Sequence, residues 1–146
     1  MEDLIKLLDE NLEVDTYEII DDEIFIYTKS ARTEATCPYC GHGSNKVHFF
    51  YTREFNDLSI LGKKSNIILK NRKFFCNNSE CKYKTFAETF DFLGFKTKKT
   101  KRLEEYIINI SQNISSLATE KLLKKNVIKI GKSSICNLLK KRNTVG

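Results

Sequence analysis

Four of the chain's five cysteines come in two closely spaced pairs. Cys37-Pro38-Tyr39-Cys40-Gly41 is a C-x2-C turn closed by glycine, and Cys76-Asn77-Asn78-Ser79-Glu80-Cys81 is a C-x4-C turn. Zn2+ prefers four ligands in a tetrahedron, and soft thiolates suit it. A tight turn with Cys at both ends delivers two sulfurs to one ion, and Gly41 permits the backbone geometry such a turn needs. The two knuckles predict a closed structural site, one zinc ion held by Cys37, Cys40, Cys76 and Cys81 with no open coordination position. Zn2+ with four thiolates carries a net negative charge, which the flanking Lys46, Arg72, Lys73, Lys82 and Lys84 can offset.

Buried free thiols and a redox C-x-x-C are the competing readings. A redox motif expects a βαβ context and leaves the second pair unexplained. His42 and His48 are rival ligands, but four Cys already complete the shell, so both read as surface or structural residues. Cys136 lies between Ile135 and Leu138 and reads as a small apolar residue of a helix.

The elements that must position these sulfurs follow from hydrophobic period. Leu4, Ile5, Leu7, Leu8 and Leu12 have helical spacing and predict a short amphipathic helix over 3–12. Its polar face is acidic, so its leucines suit a core or a partner, not a membrane. Strands are expected over 14–20 and 23–28, joined at Asp21-Asp22. Two more are expected over 46–55 and 64–75, the second interrupted at Lys70-Asn71, with a turn at 57–62 between them. These strands fill the 35 residues between the Cys pairs, as in an expanded zinc ribbon. Phe49, Phe50, Tyr51, Phe55, Phe74 and Phe75 offer a base-stacking surface or a core. The core reading ranks first, because strands bounded by knuckles need apolar filling and the chain has no Trp.

The pattern changes near residue 97. Thr97 to Arg102 reads as a polar, basic hinge. Leu103, Tyr106, Ile107, Ile110 and Ile114 then follow helical spacing, a second helical stretch covers about 115–125, and a third covers about 132–142 with Ile135, Leu138 and Leu139 inward. Three short helices, the last two joined by a tight turn at 126–131, predict a helix-turn-helix. The fold class expected is α+β: a short helix and hairpin over 1–34, a small antiparallel zinc-ribbon-like module over 35–96, and a three-helix module over 97–146.

Composition narrows the functional classes. With 40% hydrophobic and 30% charged residues, one Pro and six Gly, the 146-residue chain is globular, neither disordered nor low-complexity. It is too short for a (β/α)8 barrel. The acidic N-terminus lacks the pattern of a signal peptide, so a reducing, cytoplasmic setting is expected, where disulfides explain five Cys poorly. No run of 18 apolar residues predicts a membrane span. The net charge of +6 hides an asymmetry: residues 1–34 sum to −8, residues 35–96 to +5 and residues 97–146 to +9. A basic two-thirds behind an acidic head predicts a polyanionic partner, against the plainer reading of a solvated lysine surface.

One combination of residues is familiar. CPYCG, then HFFYTREFNDLSILGK, then NRKFFCNNSECKYKTFAE resembles the N-terminal zinc finger of the ISL-three class of bacterial insertion-sequence transposases. The matching positions begin with Cys37, Pro38, Cys40 and Gly41. They continue through His48, Tyr51, Arg53, Asp57, Leu58 and Gly62, then Arg72, Lys73, Phe74 and Cys76, and end with Cys81, Phe86 and Glu88. The helical segment that follows resembles the family's helix-turn-helix. Such transposases continue into a catalytic domain whose carboxylates bind two Mg2+. After residue 96 this sequence has only Glu104, Glu105 and Glu120. The resemblance therefore implies the DNA-binding front of a transposase, a nucleoid-associated bacterial protein, without the chemistry.

In a helix-turn-helix the last helix enters the major groove, and its N-terminal residues meet base edges. Lys132, Ser133, Ser134 and Asn137 would take that role, Asn137 reading adenine and Lys132 guanine. Lys98, Lys99, Lys101, Arg102, Lys124, Lys125, Lys140, Lys141 and Arg142 would meet phosphates, which give affinity and salt dependence but little sequence information. Lys63, Lys64, Lys70, Arg72 and Lys73 could bring the zinc unit to DNA as well, or that unit could be a rigid platform. The partner expected is double-stranded DNA. The alternative is a protein-interaction module that modulates a full-length transposase.

Overall fold

A computed structural model gives the fold. It describes the backbone of residues 1–94, 96–126 and 132–145. Within these it describes all side chains except Ser116, 125–126, 132–133 and 141–145. The architecture is α+β, with a mostly antiparallel sheet and, among the described residues, four helices.

Helix α1 (Glu2–Leu8) is shorter than its leucine pattern predicts. Asp9 turns the chain to extended backbone, and its carboxylate accepts from the Asn11 N–H at 2.8 Å. That local bond competes with the helical ladder. Leu12 then opens β1 (Leu12–Ile20) and is fully buried. Asp21, at φ 54°, turns the chain into β2 (Glu23–Ser30), where Ile24, Ile26 and Thr28 alternate inward as period-2 patterning requires.

Short strands β3 (Ala35–Thr36) and β4 (Gly43–Ser44) pair antiparallel around the first knuckle, Ala35 opposite Ser44. The long hairpin of β5 (Val47–Ile60) and β6 (Lys63–Phe75) follows. The turn expected over 57–62 contracts to Leu61-Gly62, both at positive φ (50° and 76°). Such two-residue turns match the twist of paired strands, so Asp57 to Ile60 stay in the ladder. The expected break at Lys70-Asn71 is also absent. Asn71 is buried in β6, and its amide donates to the Glu88 carbonyl. Strand β7 (Thr85–Ala87) pairs antiparallel with the end of β6, Phe74 opposite Phe86. The main sheet runs β1-β2-β6-β5, with β7 also on β6, so β5 is an edge strand.

The segment read as a hinge is structured. The Asn56 N–H donates to the Lys98 carbonyl, and the Thr100 N–H donates to the Asn56 carbonyl (2.9 and 3.0 Å). Lys101 and Arg102 already belong to α2 (Lys101–Ser111), and the Thr100 hydroxyl caps it by accepting from the Leu103 N–H. Helix α3 (Ser116–Asn126) is capped by Ser115, whose hydroxyl accepts from the Ala118 N–H. Helix α4 (Lys132–Val145) is a turn longer than its sequence pattern indicates. The turn expected at 126–131 lies, beyond Asn126, outside the described residues. Leu103, Ile107, Leu123 and Ile135 form a buried cluster shared by the three helices, with Ile110, Leu138, Leu139 and Leu58 packed on it.

The chain forms two compact units, each assembled from separate stretches because the long strands pass through both. One comprises Met1–Tyr17, Ile26–Glu54 and Ile68–Phe92. The other comprises Glu18–Phe25, Phe55–Ile67 and Leu93–Gly146. The cysteine pairs lie in the first and the helical cluster in the second. No helix among the described residues is long and apolar enough to cross a membrane.

Candidate metal centre

Each knuckle is shaped by backbone bonds that its own short sequence supplies. In the first, the Gly41 N–H donates to the Cys37 carbonyl and the Cys37 N–H donates to the His42 carbonyl (2.8 and 2.9 Å). Gly41 sits at φ 81°, where a side chain would be strained. In the second, the Cys81 N–H donates to the Asn78 carbonyl, and the Cys76 N–H donates to the Lys84 carbonyl. The strands ahead of both knuckles are anchored by a cluster of Ala35, Cys37, Phe74 and Phe86, against which Cys40, Cys76 and Cys81 pack.

The four sulfurs of Cys37, Cys40, Cys76 and Cys81 lie within 4.8 Å of one another. Cys37 and Cys81 are 4.0 Å apart across the knuckles, and Cys40 and Cys76 are 3.5 Å apart. A tetrahedral zinc with bonds of about 2.3 Å sets its sulfurs about 3.8 Å from one another. The donor set and the spacing therefore fit one zinc ion, with all four positions filled by protein.

Backbone N–H groups two residues on serve three of the sulfurs: His42 for Cys40, Asn78 for Cys76 and Tyr83 for Cys81. They prepare the sulfurs to carry negative charge. The His42 N–H draws the Cys40 thiol down to about 6, against partial desolvation. At Cys76 the Asn78 N–H favours the thiolate, but desolvation and the neighbouring cysteine sulfurs outweigh it and push the thiol up to about 12. Cys81 is raised too: the Tyr83 N–H is outweighed by desolvation and by Cys40 and Cys37. Four crowded sulfurs cannot all ionise without a cation among them.

Neither histidine is among the clustered ligands. His42 contributes its backbone, and the exposed His48 ring lies against Phe75, with centroids 4.4 Å apart. Tyr39 and Tyr83, one from each knuckle, stack with centroids 3.8 Å apart.

Two buried carboxylates organise the surrounding arginines. Glu88, with a side chain 1% exposed, receives both ends of the Arg72 guanidinium (2.9 and 3.0 Å), Arg32 at 3.3 Å and the Ser30 hydroxyl at 2.6 Å. Arg72 also donates to the Arg32 carbonyl. Arg72 is thus a structural cation held by Glu88, not one held out for a polyanion. Asp57, also 1% exposed, receives the Arg102 guanidinium through both oxygens and the Thr100 hydroxyl at 2.7 Å. Sequence reasoning met Glu88 only as a position of a family pattern, and Asp57 as such a position and as the first residue of a turn. The available signal was an acid within an apolar strand stretch, with arginines elsewhere to match it.

The other candidate residues are dispersed along the helical segment. Ser134, Asn137 and Lys140 are exposed on α4, and the side chains of Lys132, Ser133, Lys141 and Arg142 lie outside the described set. Lys98 and Lys101 are exposed and Lys99 is half-buried. Lys124 is exposed and lies 3.9 Å from Glu120, while the Lys125 side chain is not described. The core reading of the aromatics holds for Phe55 and Phe74 but fails for three others. Phe49, Phe50 and Phe75 are 46%, 51% and 41% exposed. They lie on an edge strand and its neighbour.

Residues 33–81, a third of the chain, match the family model described as the zinc-finger of transposase IS204/IS1001/IS1096/IS1165. No curated protein and no solved structure matches the chain. The match spans both cysteine pairs and the hairpin between them. The chain thus carries an ISL3-type transposase zinc-finger region, with one structural zinc ion held by its four-cysteine cluster.

Proposed function

We propose that this protein is a sequence-specific, non-catalytic binder of double-stranded DNA, related to the part of a transposase that recognises element ends. The observation that carries the reading is the match of the zinc finger to a transposase family over both cysteine knuckles. The α2-α3-α4 cluster supports it. Three short helices around one apolar core, with basic residues outward, is how a helix-turn-helix is built. In this reading α4 enters the major groove, with Ser134 and Asn137 at base edges beside Lys132 and Ser133. Lys98, Lys99, Lys101, Lys124, Lys125, Lys140, Lys141 and Arg142 meet phosphates. Arg102 contributes mainly by fixing the start of α2, since Asp57 already matches its charge. The zinc centre is structural, with every coordination position taken by a thiolate.

The test is duplex binding by the zinc-loaded chain at two salt concentrations, after selection of a target from random duplexes. Specific binding should weaken steeply with salt, each phosphate contact adding a log–log slope of about −0.9. Asn137→Ala should relax specificity. If target and non-target duplexes weaken equally, Asn137 does not read bases. No duplex affinity at low salt would overturn the reading. A second reading is a module that binds a protein such as a full-length transposase. The observation favouring it is α1, where Leu4 and Leu7 are exposed among acidic residues.

A further inference from the structure

We infer that the aromatic rings on the β5–β6 hairpin beside the zinc knuckles bind unpaired bases of single-stranded DNA. Phe75, His48, Phe49 and Tyr51 form a continuous run of rings, with centroids 4.4, 4.9 and 5.9 Å apart in that order. The first three are exposed, and they lie on or next to the edge strand. A soluble domain ordinarily buries such rings, and a contiguous exposed apolar patch marks a contact surface. Bases stack on aromatic faces whatever their identity, and these rings are turned 42°, 70° and 50° to one another, so the run presents differently directed faces.

Charge selects the occupant. The Phe75 N–H donates to the Lys46 carbonyl and the next N–H, of Cys76, donates to the Lys84 carbonyl, so the backbones of two exposed lysines adjoin that of Phe75. Lys70 lies over the Phe50 ring, 4.5 Å from its centroid. Phe50 and Lys70 also line a depression of about 270 Å³ with Tyr27, Thr52 and Ile68. Asp15 lines it too, but is paired with Lys29 at 3.2 Å. A lysine ammonium over an aromatic ring sets positive charge beside a stacking face, as a single-stranded polyanion requires. A protein partner would gain from the rings but not from the positive charge beside them. A duplex, with its bases already stacked, offers the rings no faces. The inference does not rest on the duplex-binding role proposed for the helices.

The test measures binding of a dT12 oligonucleotide and of a duplex by the same zinc-loaded, full-length sample. Because the chain has no Trp, Phe49→Trp installs a single reporter. Its fluorescence should be quenched by dT12, with affinity kept. Phe49→Leu combined with Phe75→Leu keeps apolar bulk but removes the π faces, and should weaken dT12 binding at least about tenfold. Zinc content and duplex affinity should stay within twofold of the parent. Absence of dT12 binding by the parent, an unquenched Trp, or undiminished binding by the double variant would overturn the inference. So would equal loss of dT12 and duplex binding, or a preference for U12 over dT12, which would move the site to RNA. Failure of duplex binding alone would overturn only the role given to α4.

Discussion

At Cys76 and Cys81 zinc competes with a proton. In the metal-free knuckles Cys40, drawn down to about 6, is a thiolate at pH 7.5, whereas Cys76, pushed up to about 12, and Cys81, also raised, keep their protons. Zinc needs all of them as thiolates, so its entry expels the protons of Cys76 and Cys81, and affinity falls as pH falls. Calorimetric titration in two buffers of different ionisation enthalpy should record release of at least two protons at pH 7.5. A count near zero would contradict the site. Glu88 is the second decisive residue. Glu88→Gln leaves Arg72 and Arg32 facing a neutral amide. Removing one partner of a buried ion pair costs about 3–5 kcal/mol. The loss should appear in denaturant unfolding, and a cost below about 1 kcal/mol would mean that water screens the pair.

Among the elements, the start of α2 depends on a single strand residue. Asp57 in β5 receives the Thr100 hydroxyl and the Arg102 guanidinium, while the Thr100 hydroxyl accepts from the Leu103 N–H. Thr100→Ala removes a cap and should cost about 1 kcal/mol. Asp57→Asn removes the charge that fixes Arg102 and should cost more. Thermal unfolding followed by circular dichroism checks the order, and both variants should keep one zinc per chain. An equal or smaller effect of Asp57→Asn would mean that the ion pair does not hold the helix start. Helical spacing located only part of the inward face of this region: Tyr106, Ile114, Leu117 and Leu122 share the apolar stripes but are exposed, and Ile108, outside them, is buried. Leu103, Ile107, Leu123 and Ile135 are buried because helical periodicity is a local property. The strand boundaries were less legible. Asp57 looks like a turn residue until its burial beside Thr100 and Arg102 is seen.

For the whole molecule, zinc is a local clamp on one of two units. The helical cluster contains no cysteine ligand, and the long strands carry their own ladder bonds. Chelation should therefore raise hydrogen exchange in residues 35–44 and 76–85 while α2 and the centre of β6 stay protected. Mass-resolved exchange with and without a chelator checks this, and loss of protection throughout would show that metal ligation supplies the global stability.

The metal centre was legible in the residues alone, because two knuckles with fixed short spacings impose their own geometry and thiolates their own metal. The alternation of β2 was legible too, as were the helical positions Leu103, Ile107, Leu123 and Ile135, since both follow from local periods, whereas Tyr106, Ile114, Leu117 and Leu122 have the same helical spacing and are exposed. What each polar or aromatic side chain does was not. Arg72 and Arg102 carry the same charge as any surface cation, and only the buried Glu88 and Asp57 make them structural. Phe49, Phe50 and Phe75 are as apolar as Phe55 and Phe74, yet the first three face solvent and the last two fill a core. Burial depends on which layer covers a strand, and the pairing of residues distant in sequence decides that.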